Sequence, residues 1–369
     1  MKKSWKEKKF SQCSESICPI KMTMHNILIE NKIISQGEPC FIIAEAGSNH
    51  DGKLKQAKQL IDVAASAGAD AVKFQSFTAD KIAARTKDSI VNIDIAGAKT
   101  LYELYKNLEL PPDWLGELID YAKEQSIVFL STPFDEKAVD DLDELGIPAF
   151  KIASFELVHL PLLRHIARKG KPIILSTGMA NLCEIEEAIN AILEEGNDKI
   201  ILLHCGIGYP LDVEAVNLAA MDTLKQAFPY PVGYSDHTIG VAIPFAAVSR
   251  GANVIEKHFT ISRKLKGPDH PFAMEPDELM AMVRGIRDIE KAIGSQRKEV
   301  LERELIHYHR GRRSLFAKVN IPKGTIITID MLTVLRPGIG LKPKYIEIIV
   351  GRKATVDIES QEPITWDKI

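Results

Sequence analysis

Short apolar runs alternate with amphipathic segments eight times along this chain, and this alternation constrains the fold more than any other feature. The runs are apolar almost throughout, as in parallel β-strands that are covered on both faces. In chain order the eight runs are Cys40–Gly47, Asp70–Gln75, Ile127–Pro133, Phe150–Ser154, Pro172–Gly178, Lys199–Cys205, Pro231–His237 and Asn253–Phe259.

The segments between the runs have the apolar spacing of helices, and several stop at a glycine, which readily adopts the left-handed backbone that ends a helix. Strand and helix alternating eight times over about 250 residues predicts a (β/α)8 TIM barrel. A doubly wound sheet shows the same alternation but usually carries a GxGxxG loop after its first strand, and "AEAGSNHDG" at that place lacks the pattern. The predicted helices include Lys53–Ala67, Glu136–Leu145, Glu184–Glu195, Val241–Arg250 and Pro276–Ile293.

Shifts in composition mark the rest of the domain organisation. Residues 1–25 are basic and polar, and we expect a disordered extension there; residues 26–294 hold the barrel. The polar, basic stretch 295–313 reads as a helical linker, and residues 314–369 contain short β-type runs and turns. The expected fold is therefore an α/β TIM barrel followed by a small, mostly β domain.

The bulk composition excludes several classes of partner and location. A net charge of −3 gives no broad basic surface for nucleic acid, so an anionic ligand must be attracted by a local cluster of bases. The basic N-terminus lacks the apolar stretch of a signal peptide, and no window approaches the roughly 18 apolar residues of a membrane span. The five cysteines form no CxxC pair, which fits a reducing cytoplasm.

Polar side chains gather at the end of every predicted strand, where TIM barrels carry their active sites. A buried lysine is informative, because an unpaired ammonium in the interior costs several kcal/mol. Lys73 and Lys151, with hydroxyls of Ser154, Ser176 and Ser235, predict a pocket for an anion rich in oxygen, such as a phosphate or a carboxylate. Other residues at these ends are Glu45, Gln75, Thr132, His204, Tyr209, Asp236, His237, Glu256 and His258.

Two of these residues are histidines on adjacent strands. His237 and His258 end the seventh and eighth strands, which lie roughly 5 Å apart in a closed sheet. That separation suits two imidazoles on one divalent cation acting as a Lewis acid, and the alternative is a pair of hydrogen-bonded core histidines. His204, inside the apolar run "ILLHC", is expected to be structural.

Eight motifs in this order carry a family resemblance. The chain resembles the sialic acid (N-acetylneuraminate) synthases, a group that includes pseudaminic and legionaminic acid synthases and spore coat polysaccharide biosynthesis protein E. The resemblance runs from about Glu38 to the C-terminus, where the tail looks like an antifreeze-like (SAF) domain. The motifs are "AEAGSNHDG", "GADAVKFQ", "STPFD", "KIASFE", "ILSTGM", "YSDHT", "IEKHFT" and "GPDH".

The resemblance implies a reaction and a role for individual residues. The family condenses phosphoenolpyruvate with the open-chain form of an N-acetylated amino sugar, such as N-acetylmannosamine or a diacetamido-trideoxyhexose, and forms a nine-carbon 2-keto acid and phosphate. By resemblance, phosphoenolpyruvate is held by Lys73, Thr132, Lys151, Ser154, Ser176 and Ser235. The sugar meets Gln75, Glu156, Tyr209 and Asp269, and Glu45 transfers a proton or activates water.

The resemblance also implies a metal and a second subunit. His237 and His258 would bind Mn2+, with Mg2+ or Co2+ as alternatives. Arg336 of "LRPG" would reach the sugar from the small domain of a partner subunit, which predicts a domain-exchanged homodimer.

Two places depart from the family pattern and leave the identity of the sugar open. The stretch Cys205–Pro210, "CGIGYP", lacks the small polar side chains that the family usually has there, and Phe155 stands where N-acetylneuraminate synthases often have glycine. Two other functions remain as alternatives: a synthase of the octulosonate or heptulosonate phosphate type, and a sugar- or ice-binding protein on an inactive barrel.

Overall fold

The computed structural model of the protein describes residues 25–85 and 98–369. The predicted disordered extension lies outside the described residues apart from His25. The chain divides into two compact units, one that ends at Gly294 and one that spans Ser295–Ile369, and each is described by itself.

Twelve strands lie within the described ranges: β1 Ile27–Ile29, β2 Lys32–Ile34, β3 Phe41–Gly47, β4 Ala71–Ser76, β5 Val128–Pro133, β6 Phe150–Ile152, β7 Ile173–Ser176, β8 Ile200–Cys205, β9 Val232–Asp236, β10 Val254–His258, β11 Ser314–Ala317 and β12 Leu332–Leu335. The α-helices are α1 Leu54–Ala67, α2 Ala79–Ile82, α3 Leu101–Leu108, α4 Leu115–Glu124, α5 Glu136–Glu144, α6 Leu160–Ala167, α7 Leu182–Leu193, α8 Ala220–Ala227, α9 Ala242–Ser249, α10 Pro276–Ile293, α11 Leu305–Gly311 and α12 Ile346–Ile349.

The strands from β3 to β10 close into a barrel, which confirms the predicted fold class. Each strand pairs in parallel with its neighbours in the sequence, and β10 pairs with β3 to complete the ring. Parallel neighbours need a crossover connection, and the helices between the strands supply it. All eight strand ends therefore open on the same side of the barrel, as the sequence predicts.

Alternate residues of the barrel strands belong to two different apolar cores. Ile42 and Val72 point outward into the large core that the barrel shares with its helices. Ile43 and Ala71 point inward and belong to a separate apolar cluster inside the barrel. Space inside is scarce: a Cβ on Gly233 would lie 2.4 Å from the Val254 carbonyl oxygen, so only glycine fits.

A hairpin that the sequence analysis missed completes this inner cluster. Strands β1 and β2 pair in antiparallel fashion, and Ile27, Ile29 and Ile34 are buried with the inward residues of the barrel strands. Leu28 and Ile33 on the same hairpin are exposed. The clustered inward residues lie near the strand starts, so the hairpin covers the N-terminal end of the barrel with an apolar face.

The helix predictions agree closely with the structure, while several predicted strands, the fourth among them, run too long. Helix α1 ends at Gly68, whose φ of 79° is the left-handed conformation expected after a helix. Strand β6 ends at Ile152, and the predicted strand residue Ser154 begins a short 3-10 turn, Ser154–Glu156. The directions of the Ser154 and Glu156 side chains are therefore set by this turn and not by the alternation of side chains along a strand.

The second unit is a small β-containing domain, as predicted. Strands β11 and β12 pair in antiparallel fashion over a compact apolar core that includes Leu315, Ile327 and Ile349. The predicted linker 295–313 contains a short turn, Glu302–Glu304, and helix α11. Among the helices of the described chain, none combines the length and the hydropathy needed to cross a membrane.

Candidate active site

The C-terminal end of the barrel holds a polar cavity of about 400 Å³, including its open mouth. Most of the residues singled out from the sequence meet in it. The predicted residues that line it are Glu45, Lys73, Gln75, Thr132, Lys151, Ser154, Ser176, Tyr209, Ser235, His237 and His258. The lining also includes Phe134, Ala153, Phe155, Cys205 and Glu256.

Lys73 lies at the centre of one side of the cavity. Its Nζ is 2.7 Å from Glu45 Oε2 and donates a hydrogen bond of 3.1 Å to Thr132 Oγ1. Burial alone would lower the pKa of this ammonium, but the carboxylates of Glu256 and Glu45 outweigh burial and raise it. Lys73 therefore stays charged inside the barrel, as an anion site requires.

Lys151 occupies the opposite side and has a different environment. Its Nζ donates to Ser176 Oγ at 2.7 Å and to the Ile152 carbonyl at 2.9 Å. Burial lowers the pKa of Lys151, and the attraction of Glu256 offsets this only in part. The site thus holds an ammonium whose charge Glu256, at 3.7 Å, offsets only in part, so a bound anion would stabilise it further.

Glu256 joins the two lysines, and the sequence analysis gave it no definite role. Its two carboxylate oxygens lie 3.7 Å from the Nζ atoms of Lys73 and Lys151, and Oε1 accepts a hydrogen bond of 2.8 Å from Ser235. Burial acts to raise its pKa, but the two lysines outweigh burial and lower it. Its place on β10, two residues before His258, was the available signal, because residues i and i+2 of a strand face the same side.

His237 and His258 come together in the lining of this cavity. Their ring centroids are 5.3 Å apart. His237 Nδ1 lies 2.9 Å from the Gly206 carbonyl oxygen, so Nδ1 carries the proton and Nε2 keeps its lone pair. Burial lowers the pKa of both imidazoles, and the neighbouring His237 lowers that of His258 further. Both rings are therefore neutral, which is the form that binds a metal ion.

This pair fits a divalent cation with open coordination positions. The backbone carbonyl that orients His237 is the kind of outer partner that metal-bound histidines have. His258 Nδ1 is buried and has no hydrogen-bond partner among residues 25–85 and 98–369. No group of three or more His, Cys, Asp or Glu side chains within those ranges is arranged to hold a metal, so substrate or water would complete the shell.

Three side chains converge over Gly47, beside the histidines. A Cβ on Gly47 would lie 3.1 Å from Asp269 Oδ2, 3.4 Å from Glu45 Oε1 and 3.7 Å from Gln75 Nε2. Gln75 donates to Glu45 at 3.0 Å, and Asp269 Oδ2 is 3.5 Å from His258 Nδ1. Burial raises the pKa of Glu45 to about 7 and that of Asp269 to about 6, although Lys73 opposes both shifts. Both carboxyl groups can therefore exchange protons near neutral pH.

Three predicted site residues lie away from the lining of the cavity. Asp269 stands at the rim beside His258. Glu156 follows Ser154 in the 3-10 turn, and burial raises its pKa to about 7 despite the attraction of Lys151. Arg336 is exposed in the second unit, next to the end of β12.

Two polar residues at the strand ends have structural roles. Asp236 pairs with Lys257 and accepts from the backbone amide and hydroxyl of Thr238, so it orients its own loop. His204 Nε2 bonds to the Val216 carbonyl at 2.9 Å, and its ring contacts Tyr234 outside the cavity, as expected for a structural histidine.

The departures from the family pattern change the wall of the cavity. Phe155 is 55% exposed and lines the cavity together with Phe134. Gly206 and Gly208 lie against the Leu211 side chain, where a Cβ on Gly206 would be 2.3 Å from its Cδ2 atom. From this stretch Cys205 and Tyr209 line the cavity, and the glycines beside them offer no hydroxyl group to a ligand.

Comparison with known proteins identifies the family of the chain. A family model described as NeuB family matches residues 60–298, and one described as SAF domain matches residues 312–369. N,N'-diacetyllegionaminic acid synthase of Campylobacter jejuni is 46% identical, with 88% of this chain and 98% of that protein covered. Spore coat polysaccharide biosynthesis protein SpsE of Bacillus subtilis is 43% identical, with 92% and 96% covered.

A solved structure agrees with these relatives. The crystal structure of N-acetylneuraminic acid synthetase from Leptospira borgpetersenii, in complex with citrate, has a TM-score of 0.70 and 36% identity, and the match covers 77% of this chain and 95% of that one. The predicted resemblance and the small C-terminal domain are both confirmed. The chain belongs to the NeuB family and is an enzyme of the sialic acid synthase type.

Proposed function

We propose that the protein condenses phosphoenolpyruvate with the open-chain aldehyde of an N-acetylated amino sugar, forming a nine-carbon 2-keto acid and phosphate. The observation that carries this proposal is the pair of buried ammonium groups, Lys73 and Lys151, on either side of Glu256. Phosphoenolpyruvate has two anionic groups, the phosphate and the carboxylate, and each of the two lysines can bind one of them.

The hydroxyl groups of the cavity are arranged to donate to such an anion. Thr132 accepts from Lys73, Ser176 accepts from Lys151, and Ser154 accepts from the Gly178 amide at 3.0 Å. A hydroxyl that already accepts within the protein keeps its own proton free to donate. These three donors support a preorganised site for the phosphate and carboxylate of phosphoenolpyruvate. Ser235, whose hydroxyl donates to Glu256, would join them by turning its proton to the anion.

The aldehyde group of the amino sugar is proposed to lie beside Gly47, His237 and His258. A divalent cation on His237 and His258, with Mn2+ the proposed ion and Mg2+ or Co2+ as alternatives, supplies Lewis acidity toward the aldehyde oxygen. Carbon C3 of phosphoenolpyruvate attacks the aldehyde carbon, and the oxygen that gains charge needs a proton. With a pKa of about 7, the Glu45 carboxyl can supply it.

The second half of the reaction releases phosphate. Attack by C3 leaves a cationic C2, which water traps, and the resulting tetrahedral centre collapses with loss of the phosphate group. A carboxylate near C2 can take the proton of the attacking water. Glu45 can act here in its ionised form, after it has given up its proton, and Lys73 at 2.7 Å stabilises that charge.

The amino sugar would meet Gln75, Tyr209, Glu156 and Asp269. N-acetylmannosamine and a 2,4-diacetamido-trideoxyhexose both fit the reaction. The exposed Phe155 in the lining, and the lack of small hydroxyl side chains in Cys205–Pro210, favour the second sugar, because it presents fewer hydroxyl groups than N-acetylmannosamine does. The relative from Campylobacter jejuni named N,N'-diacetyllegionaminic acid synthase supports the same choice.

Arg336 is proposed to reach this sugar from the second unit of a partner subunit, in a domain-exchanged homodimer. Exposed apolar side chains on the loops around the cavity support a covering partner, because such patches often mark interfaces; they include Phe155, Val158, Met179 and Ile239. Mixing Arg336→Ala chains with His258→Ala chains should restore activity. Verified mixed dimers without activity would refute the shared site.

A cytoplasmic location is proposed as well, since Cys40, Cys183 and Cys205 are all free thiols. Cell fractionation with antibody detection tests this location directly.

The central experiment is a substrate panel. Purified protein with Mn2+ and phosphoenolpyruvate is offered N-acetylmannosamine, a 2,4-diacetamido-trideoxyhexose and arabinose 5-phosphate, while phosphate release and product mass are measured. We expect phosphate and a nine-carbon keto acid with an acetamido sugar. Turnover of arabinose 5-phosphate alone would favour the octulosonate type of synthase. Absence of turnover with every aldose would favour a non-catalytic barrel.

A further inference from the structure

A buried polar network lies directly behind Asp269, outside the cavity. His270 Nε2 is 3.0 Å from Asp51 Oδ1, and His270 Nδ1 is 2.6 Å from Thr260 Oγ1. His270 and Thr260 are both completely buried. Gln56 donates to Asp51 Oδ2 at 2.7 Å, so both carboxylate oxygens of Asp51 are engaged.

The order Asp–His–Thr resembles a hydrolytic triad, but the burial excludes that reading. A nucleophilic hydroxyl must reach a substrate, and Thr260 has no exposed surface. The contacts instead fix the imidazole at both nitrogens: Nε2 donates to the Asp51 carboxylate, and Nδ1 is hydrogen-bonded to Thr260 Oγ1, which is also 3.2 Å from the Ser262 carbonyl oxygen. The network therefore holds the His270 ring in a single orientation.

The same network joins two loops of the site. Asp51 lies in the turn after β3 and has a φ of 49°, a left-handed backbone that aspartate adopts more readily than most residues other than glycine. His270 lies in the long loop between β10 and α10. At the base of this loop the Thr260 amide donates to the Met274 carbonyl at 2.8 Å. The pair Asp51–His270 is thus a cross-link between the loop that leaves Glu45 and the loop that carries Asp269.

Asp269 depends on this cross-link for its position. Among the described residues, its carboxylate makes no hydrogen bond, and its Oδ2 lies 3.5 Å from Nδ1 of the neutral His258 ring. What fixes it is its own backbone, one residue before the anchored ring of His270. The loop also packs tightly on the pair, because a Cβ on Gly267 would lie 2.9 Å from His270 Cδ2 and 3.0 Å from Asp51 Oδ1.

We propose that Asp51 and His270 are positioning residues that set where Asp269 stands beside His258 and Gly47, and so govern use of the amino sugar rather than of phosphoenolpyruvate. This proposal rests on the proposed function. The pair touches neither the lysines nor the hydroxyls of the anion site, and its effect travels through Asp269. A misplacement of about 1 Å at such a group lowers a rate by up to about 100-fold.

A kinetic cycle tests this role. His270→Ala should lower kcat/KM for the amino sugar by about 10- to 100-fold and leave the KM for phosphoenolpyruvate within about twofold. His270→Gln, whose amide can still donate to Asp51, should recover part of the loss. Gly267→Ala should reproduce the defect without changing either member of the pair, and the exposed neighbour Lys266→Ala serves as the matched control.

The decisive measurement repeats His270→Ala in an Asp269→Asn background. If His270 acts through Asp269, the further loss there should be less than about threefold, because residues that act as a unit are not additive. Additive losses, or equal defects for both substrates, would overturn the positioning role. Should His270→Ala fail to fold, His270→Gln and Gly267→Ala give the same comparison. A wild-type protein that turns over no amino sugar would overturn the proposed function, and this proposal with it; additivity in an active enzyme overturns this proposal alone.

Discussion

The two ends of the barrel interior are built from the same strands and have opposite chemistry. At the N-terminal end Ala71, Ala149 and Val254 pack with the isoleucines of the hairpin β1–β2. Two residues further along the same strands, the inward positions are Lys73, Lys151 and Glu256. One step of two residues, about 7 Å, separates an apolar core from a cluster of charges.

The contrast between the apolar end and the charged end explains how the fold tolerates buried charges. Charged groups in the interior carry desolvation costs that their partners offset incompletely, as the lowered pKa of Lys151 shows. The apolar end and the outer core between strands and helices supply stability that does not depend on the site. We therefore expect substitutions at one end to change chemistry and substitutions at the other to change stability.

The largest expected effect concerns the two histidines at the charged end of the barrel. His237→Ala and His258→Ala should each lower metal-dependent turnover by about 1000-fold, equivalent to about 4 kcal/mol, because each removes one of two imidazoles. Phosphate release is measured after chelation and addition of Mn2+. His204→Gln, which can still donate to the Val216 carbonyl, is the control and should stay close to wild type. Full metal-dependent turnover in either alanine variant would show that the metal is not bound by these histidines.

Lys151→Met sharpens the contrast between function and stability. We expect kcat/KM for phosphoenolpyruvate to fall by about 100-fold, since one cation of the anion site is lost. The melting temperature should stay within a few degrees of wild type, because relief from burying the Lys151 charge offsets the loss of one partner of Glu256. Lys169→Met at the surface is the control for both measurements. A large drop in melting temperature would show that Lys151 stabilises the fold.

Ile29→Ala tests the apolar end. Ile29 is fully buried in the inner cluster, and its truncation should lower the free energy of unfolding by about 2–5 kcal/mol. Its neighbour Leu28 is 57% exposed, so Leu28→Ala should change stability by less than about 0.5 kcal/mol. Urea unfolding and initial rates at 25 °C are measured for both. A loss of kcat in folded Ile29→Ala protein would contradict the separation of the two ends.

Glu156→Gln gives the smallest expected effect, and it depends on pH. Burial raises the pKa of Glu156 to about 7, so the folded protein binds its proton more tightly than the unfolded chain does. The stability from this group is fully present below about pH 4 and is lost as the pH rises through 7. The glutamine variant should therefore gain about 1–3 kcal/mol over wild type at pH 8 and almost nothing at pH 4. Urea unfolding at pH 4 and pH 8 measures both proteins. Equal differences in the free energy of unfolding between the variant and wild type at the two pH values would disprove the raised pKa.

The sequence predicts the barrel and most of the site because both depend on short-range patterns. Apolar runs mark the strands, and the first polar residue after each run marks its end, so Lys73, Lys151 and His258 can be placed without coordinates. The hairpin was missed because Ile27–Ile34 shows its role only through contacts with strands far along the chain. Such contacts leave no local pattern.

The missing details of the site have a similar cause. Glu256 stands between the two lysines because β10 closes on β3 and β9, and only the closed ring shows that all three charges share one interior. Asp269 and Arg336 lie beyond the barrel strands, where no periodicity fixes direction, and the family resemblance alone singled them out. The network of Asp51 and His270 joins residues 219 positions apart in the sequence, and neither one predicts the other.

The hairpin also has a consequence for the order in which the protein is made. Ile27, Ile29 and Ile34 are synthesised before every barrel strand, yet Val254, one of the residues they pack with, follows more than 200 residues later. The apolar face of the hairpin must stay accessible throughout that interval, because the barrel has no closed end to receive it. Long-range contacts of this kind slow folding and expose sticky surface during synthesis. The hairpin that covers the N-terminal end of the barrel is thus synthesised long before the last of its packing partners.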